Sequence, residues 1–427
     1  MNMERTKHPD QSAKNPEQNA KTPAKKKREP WIKPRHRVAR NLAYALLYPY
    51  SKWKYGITVD RFREQGSRPW LILFNHQTPF DQFFVGMSFR GPVYYLSTED
   101  LYSNGWISRV IRWLVAPIPI MKAASDFAAV KTCVRVAREG GTIGIAPEGN
   151  RTYSGRTEYM SPAIVKLVRL LKLPVALYRI EGGYGVQPRW SDGVRRGKMH
   201  SYVSRVIEPE EYEAMDNDQL FAAIREGLTV DESRSGGRFR SRKKAEYLER
   251  AVYWCPFCGF SAFESGGNEI ECKSCHRKIA YGEDKRLTGL GFDFPYATVA
   301  EWYDAQSRAV RALDPAELTA EPVFRDRSRL SEVIPSVRKI PLREDAELRL
   351  YGDRIAVDEE GPEPLLLPFD EVTAMAALGR NKLNVYHGGK IWQFKPGKRF
   401  NALKYVNFYY HYKNVKEGDP NGEFLGL

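Results

Sequence analysis

Trp70-Leu-Ile-Leu-Phe-Asn-His-Gln-Thr-Pro-Phe-Asp81 is the stretch from which the rest of the chain can be read. Leu71 to Phe74 is a short apolar run of the kind that forms a buried strand. It stops at Asn75, His76, Gln77, Thr78 and Pro79, a cluster that ends strands and makes loops. His76 and Asp81 therefore sit at the mouth of a strand, where sheet proteins commonly carry chemistry. A loop turning into a helix over the four residues between them can bring the carboxylate back onto the imidazole. A histidine paired in this way has a fixed tautomer, and the carboxylate stabilises the imidazolium formed when it takes a proton. These are two members of a Ser-His-Asp triad without the serine, so the hydroxyl is expected from the substrate.

A histidine with an aspartate five positions on is common, and its bland reading is a loop-capping Asp beside a solvated His. A second stretch decides between the two. Thr142-Ile-Gly-Ile-Ala-Pro-Glu-Gly-Asn-Arg-Thr152 is again a strand ending in a turn, now carrying Glu148, Gly149 and Arg151. Arg151 offers a rigid fork of donors suited to a phosphate, and Gly149 lets backbone N–H groups approach an anion closely.

Together, Asn75-His76-x4-Asp81 and Pro147-Glu148-Gly149-Asn150-Arg151 resemble the paired signatures of the 1-acylglycerol-3-phosphate (lysophospholipid) acyltransferases. The resemblance covers roughly residues 40 to 230 and is far more specific as a pair than either motif alone. Pro119-Ile120-Met121-Lys122 stands where that family has an apolar run ending in a basic residue, and Leu173-Pro174-Val175 where it has a proline-led strand. The chain departs from the pattern at Ala146 (usually Phe), Asn150 (usually Thr) and Lys122 (usually Arg). Lys122 is a point charge where the family has a fork. The resemblance implies His76 and Asp81 as catalytic residues, and Asn75, Lys122, Glu148, Gly149 and Arg151 as binders of the acceptor.

The net charge of +15 over 427 residues favours anionic partners such as lipid head groups, nucleic acid or phosphorylated substrates, and excludes an acidic solvating protein. No apolar run approaches the ~20 residues of a membrane span, and the charged start lacks the apolar core of a signal peptide. The expected location is the cytoplasmic face of a membrane, peripherally attached. Residues 1–34 read as a disordered basic tail ending in Lys25-Lys26-Lys27-Arg28. From Arg35 to Lys54, Val38, Leu42, Ala45, Leu46 and Tyr50 follow helical spacing among basic residues. Trp31, Tyr44, Tyr48 and Trp53 add interfacial aromatics, so the segment reads as an amphipathic helix laid on an anionic membrane surface. The plain alternative is a helix packed on the core.

Further strands are expected near 92–96, 175–180 and 198–207. Helices are expected over 106–115, from a Ser125 cap to Gly140, over 164–171 and over 216–228, an alternation that argues for an α/β sheet. Gly182, Gly183 and Gly185 lack the context of a nucleotide loop and read as a turn. Cys133 reads as a small buried hydrophobe. Cys255-x2-Cys258 and Cys272-x2-Cys275, thirteen residues apart, suit one tetrahedral structural Zn²⁺ and resemble a zinc ribbon, with His276 outside the ligand set. Beyond Pro322 the texture is β, broken by Gly-Asp, Glu-Gly and Gly-Gly turns and closed by a helix over 402–412. In architecture this resembles a pleckstrin-homology/GRAM barrel.

The expected fold is thus an α/β acyltransferase domain, a mixed sheet flanked by helices, followed by a small zinc ribbon and a mainly β barrel-like C-terminal domain. The expected boundaries are tail 1–34, acyltransferase domain 35–230, linker 231–249, ribbon 250–282, helical connector 283–320 and β domain 321–427. The expected activity moves a fatty acyl group from acyl-CoA or acyl-carrier protein to the free hydroxyl of 1-acyl-sn-glycerol-3-phosphate, in phospholipid biosynthesis. One alternative keeps the enzyme with another lysophospholipid or lipid alcohol as acceptor. The other is an inactive zinc-ribbon protein that binds nucleic acid or membrane, of which the nucleic-acid version is disfavoured.

Overall fold

The computed structural model describes residues 29–102, 105–120, 127–335 and 337–424. Lys122, Ser125 and residues 1–28 of the tail lie outside the described residues.

The stretch Leu71–Phe74 is a fully buried strand at the centre of a seven-stranded mixed sheet. In chain order its strands are β1 (Ile57–Val59), β2 (Leu71–Phe74), β3 (Val93–Thr98), β4 (Ile118–Ile120), β5 (Thr142–Ile145), β6 (Val175–Glu181) and β7 (Met199–Ile207). They are arranged β1-β7-β6-β2-β5-β3-β4. β2 runs parallel to both β5 and β6, with Leu73 opposite Ile145 and Leu177. Both motif loops therefore leave the same end of the sheet from adjacent strands. That is the reason two sequence signatures about seventy residues apart meet.

Helices α1 (Pro34–Tyr55), α2 (Asp81–Ser88), α3 (Trp106–Val115), α4 (Phe127–Arg138), α5 (Ala163–Leu171) and α6 (Asn217–Leu228) surround the sheet. α1 begins with proline at its first turn, where no N–H partner is needed, and ends at Gly56 in the left-handed region (φ +60°). A Cβ there would meet the carbonyl oxygen of Gly197 at 2.2 Å, so both conformation and space require glycine. α6 is capped by Asp216, which accepts from the Gln219 N–H at 2.8 Å. The glycines expected to form a turn instead open a single helical turn, Gly183–Val186.

The segment expected as a linker is packed. Phe239 is buried against Gly185 and Gly197, and Arg240 pairs with Arg196 through backbone hydrogen bonds. Four antiparallel strands follow in consecutive order: β8 (Phe263–Gly266), β9 (Glu269–Cys272), β10 (Lys278–Tyr281) and β11 (Leu287–Gly289). Helix α7 (Val299–Arg311), capped by Thr298, leads to a second seven-stranded sheet. Its strands are β12 (Phe324–Ile334), β13 (Arg338–Leu350), β14 (Arg354–Val357), β15 (Leu365–Pro368), β16 (Val372–Leu378), β17 (Lys382–His387) and β18 (Lys390–Pro396). The order is β15-β14-β13-β12-β18-β17-β16, all antiparallel.

The expected barrel is corrected here. Among the described residues β15 and β16 do not pair with each other, so the sheet curls without closing. Helix α8 (Ala402–Lys416) packs on it, with Tyr409 and Tyr410 hydroxyls donating to carbonyls of Val372 and Met375. One apolar core runs from Tyr153 and Trp190 of the first sheet's domain through the cysteine segment and α7 into this second sheet.

Candidate active site

Asp81 is the first residue of α2 and is completely buried. Its carboxylate accepts from the backbone N–H groups of Gln77 (2.6 Å) and Thr78 (2.9 Å) and from the Thr78 hydroxyl (2.6 Å). The same oxygen that takes the Gln77 N–H lies 2.8 Å from His76 Nδ1. A carboxylate so supplied can only accept, so Nδ1 carries the proton and Nε2 is left with its lone pair. Burial lowers the imidazole's pKa below the ordinary 6.5, opposed by the hydrogen bond and charge of Asp81. The ring is therefore neutral at neutral pH and able to receive a proton.

Arg151 is the second reactive group brought to this place. Arg151 is 9% exposed, its Nη2 makes one long contact to the Gly379 carbonyl (3.5 Å), and its Nη1 is buried with no hydrogen-bond partner among the described residues. Burial, with the charge of Arg189 adding to it, lowers its pKa to about 10. A buried donor without an acceptor is costly, and an anion placed here removes that cost.

Three expected acceptor-binding residues have polar groups engaged within the protein. Glu148 spends both carboxylate oxygens on backbone N–H groups, of His76 at 2.8 Å and of Glu158 at 2.8 Å. It braces the His76 loop against the chain beyond the second motif. Asn75 joins β2 to β6, its side-chain amide donating to the Ile180 carbonyl (2.9 Å) while its oxygen accepts the Ile180 N–H (2.7 Å). Gly149 has the left-handed backbone (φ +67°) that the turn requires, but its own N–H is used on the Ala146 carbonyl at 3.0 Å.

The sequence reading missed Arg189. It is buried and sits over the Tyr153 ring (4.1 Å to the centroid), and its donors reach the carbonyls of Arg151 (2.9 Å), Ala377 (2.7 Å) and Gly379 (3.0 Å). It therefore ties the second motif to β16 and the turn after it. Pro188-Arg189-Trp190 carries no local pattern that announces this role. Thr152 was missed as well; its N–H donates to the His76 carbonyl at 3.1 Å and stitches the two motif loops together.

The four cysteine sulfurs lie within 4.8 Å of one another, with Cys255 to Cys275 at 3.8 Å and Cys258 to Cys272 at 3.5 Å. Disulfides need about 2.05 Å. A tetrahedron of sulfurs about 2.3 Å from one metal ion has edges of about 3.8 Å, so the donor set fits Zn²⁺ in chemistry and spacing. His276 is hydrogen-bonded to Glu271 (3.0 Å) and does not join the cluster.

Residues 57–179 match the family model described as Acyltransferase. The 1-acyl-sn-glycerol-3-phosphate acyltransferase of Bacillus subtilis (strain 168) is 21% identical over 136 residues, which are 32% of this chain and 65% of that protein. The chain thus spans less than two thirds of that relative's length. The solved structure of the 1-acyl-sn-glycerophosphate (LPA) acyltransferase PlsC from Thermotoga maritima is similar at 17% identity and a TM-score of 0.39, over 45% of this chain and 78% of that one.

Proposed function

We propose that the protein, whose residues 57–179 match the acyltransferase family model, esterifies the free hydroxyl of 1-acyl-sn-glycerol-3-phosphate to give phosphatidic acid. The observation that carries this reading is the His76–Asp81 pair at 2.8 Å with the partly unpaired Arg151 brought to the same sheet end. His76 Nε2 takes the proton of the acceptor hydroxyl as the oxygen attacks the carbonyl of an acyl thioester. Asp81 holds the ring and stabilises the imidazolium. Collapse of the tetrahedral intermediate expels the thiolate, which the imidazolium can reprotonate. Arg151 binds the acceptor phosphate, with Lys122 in support, and Gly149 gives that loop its turn. Positioning of this kind can supply ~7–11 kcal/mol of a barrier, while a general base supplies about 10²–10⁴ in rate.

In this reading residues 35–230 are the catalytic module, and Cys255, Cys258, Cys272 and Cys275 hold one structural Zn²⁺ that takes no part in the reaction. The acyl donor is acyl-CoA or acyl-carrier protein. The enzyme works from an anionic membrane surface, which α1 and α3 meet. Leu46 (73% exposed) and Trp53 (76%) on α1, with Trp106 (69%) and Trp113 (57%) on α3, are the apolar groups available for that contact. The two helices pack together through Arg35, whose guanidinium lies over the Trp113 ring and donates to its carbonyl at 2.8 Å. Among the described residues no helix is long and apolar enough to cross a membrane.

The test is transfer of a labelled acyl group from acyl-CoA, and from acyl-carrier protein, to lysophosphatidic acid in mixed micelles. Wild type should form phosphatidic acid, and a folded, zinc-loaded His76→Ala variant should lose about 10²–10⁴ of the rate. Equal rates remove His76 from the mechanism. No product with any lyso-acceptor overturns the enzyme reading.

A further inference from the structure

A cavity of about 600 Å³ opens between the second motif and the C-terminal sheet. Pro79 and Arg151 line one end, so it begins three residues from His76. The sheet and its turns contribute Arg329, Lys339, Arg380, Lys382 and Lys395, and among the described residues no acidic one lines it. Arg329 and Arg380 have acid partners, Glu344 and Asp192, neither of which is in the lining.

The strand register gathers the cations in one row. Arg329 on β12 stands directly opposite Lys395 on β18. Lys382 precedes Leu383, whose partner Phe394 precedes Lys395, so a third cation lies in the next strand of the same row. Like charges facing across strands repel, and an anion bound beside the row is attracted by all three. Arg151 Nη1, buried and without a partner among the described residues, marks an anion position at the inner end, the one the acceptor phosphate would fill beside the groove. The Arg189 clamp, reaching the carbonyls of Ala377 and Gly379, holds the two walls together.

We infer that this groove binds the nucleotide end of a coenzyme A thioester, so that the C-terminal sheet, rather than the acyltransferase domain alone, recognises the acyl donor. The inference rests on the acyl-transfer reading above. One phosphate monoester is answered by Arg151, and the five further cations exceed what the acceptor requires. A diphosphate with a third phosphate on its ribose matches them. The site is concave and of a volume usual for a small-molecule ligand (about 300–1,000 Å³), which favours a nucleotide over an acidic carrier protein.

Binding of free coenzyme A and of 3′-dephospho-coenzyme A to the full-length, zinc-loaded His76→Ala protein measures the site without turnover. The same titration on a variant that also carries Lys382→Ala and Lys395→Ala should give a dissociation constant about tenfold higher or more. Affinity should fall with added salt and with loss of the 3′-phosphate. In the active enzyme, Lys382→Ala with Lys395→Ala should raise KM for acyl-CoA by a similar factor, with KM for the lyso-acceptor unmoved. Unchanged coenzyme A binding in the variant overturns the inference. So does a shift confined to the acceptor's KM, which would place a lipid head group in the groove, or transfer from acyl-carrier protein with no binding of coenzyme A. Salt-sensitive coenzyme A binding by a wild type that acylates nothing would leave the groove standing and remove the reaction instead.

Discussion

Glu148 shows how the site depends on single polar atoms. It is buried between two backbone donors, and burial pushes its pKa up to about 8 although both N–H groups pull it down. Because the folded-state pKa lies above the ordinary 4.5, folding favours the protonated carboxyl. Its contribution to stability is complete below about 4.5 and is lost as pH rises through about 8. Thermal melts of wild type should therefore fall between pH 6 and pH 9 by more than those of Glu148→Gln, which cannot ionise. Parallel pH dependences would show that this carboxyl does not titrate with folding. Asn75 and Gly149 teach the same lesson: their residue types belong to the motif, yet their polar groups serve the backbone around His76.

At the scale of elements, β2 and β5 were legible because apolar runs ending in loop-forming residues are local signals. Helix α3, expected over 106–115, is observed as Trp106–Val115 for the same reason. Strands β12 and β16 lie in the stretch read as β beyond Pro322, but no local apolar alternation marks either one. In β12, Arg325, Arg327 and Arg329 alternate with less exposed positions, and the charges masked the period of two. In β16, Val-Thr-Ala-Met-Ala-Ala-Leu offers small residues of weak strand preference, which burial overrides. Arg189, which pins this strand, gives a test: Arg189→Ala removes the donors from the buried Ala377 carbonyl and from the Gly379 carbonyl, which keeps only the long contact from Arg151, and should cost about 1–3 kcal/mol in denaturant unfolding. A cost near zero would show that the clamp is dispensable. The cysteine segment gives another. Metal analysis should find one Zn²⁺ per chain, and Cys258→Ser or a strong chelator should remove it and lower the melting temperature, because structural zinc contributes directly to folding. A metal-free wild type of unchanged stability would reject zinc here.

For the whole molecule, the exposed apolar side chains of α1 and α3 set the expected behaviour at a lipid surface. Leu46→Asp with Trp113→Asp should weaken partitioning onto anionic vesicles about tenfold or more, and added salt should weaken wild type as well. Equal partitioning of wild type and variant would assign these side chains another role. The sequence by itself determined the two reactive motifs, the strands that carry them and the four metal-type cysteines. Each depends on residues a few positions apart, whose spacing dictates strand, loop, cap or knuckle. Only the tertiary structure decided that Glu148 braces a backbone, that the second sheet stays open, and that Arg151 faces Gly379, 228 residues further along. Those outcomes depend on which surfaces pack and which buried donors find acceptors across the fold, and no local pattern of residue types encodes them.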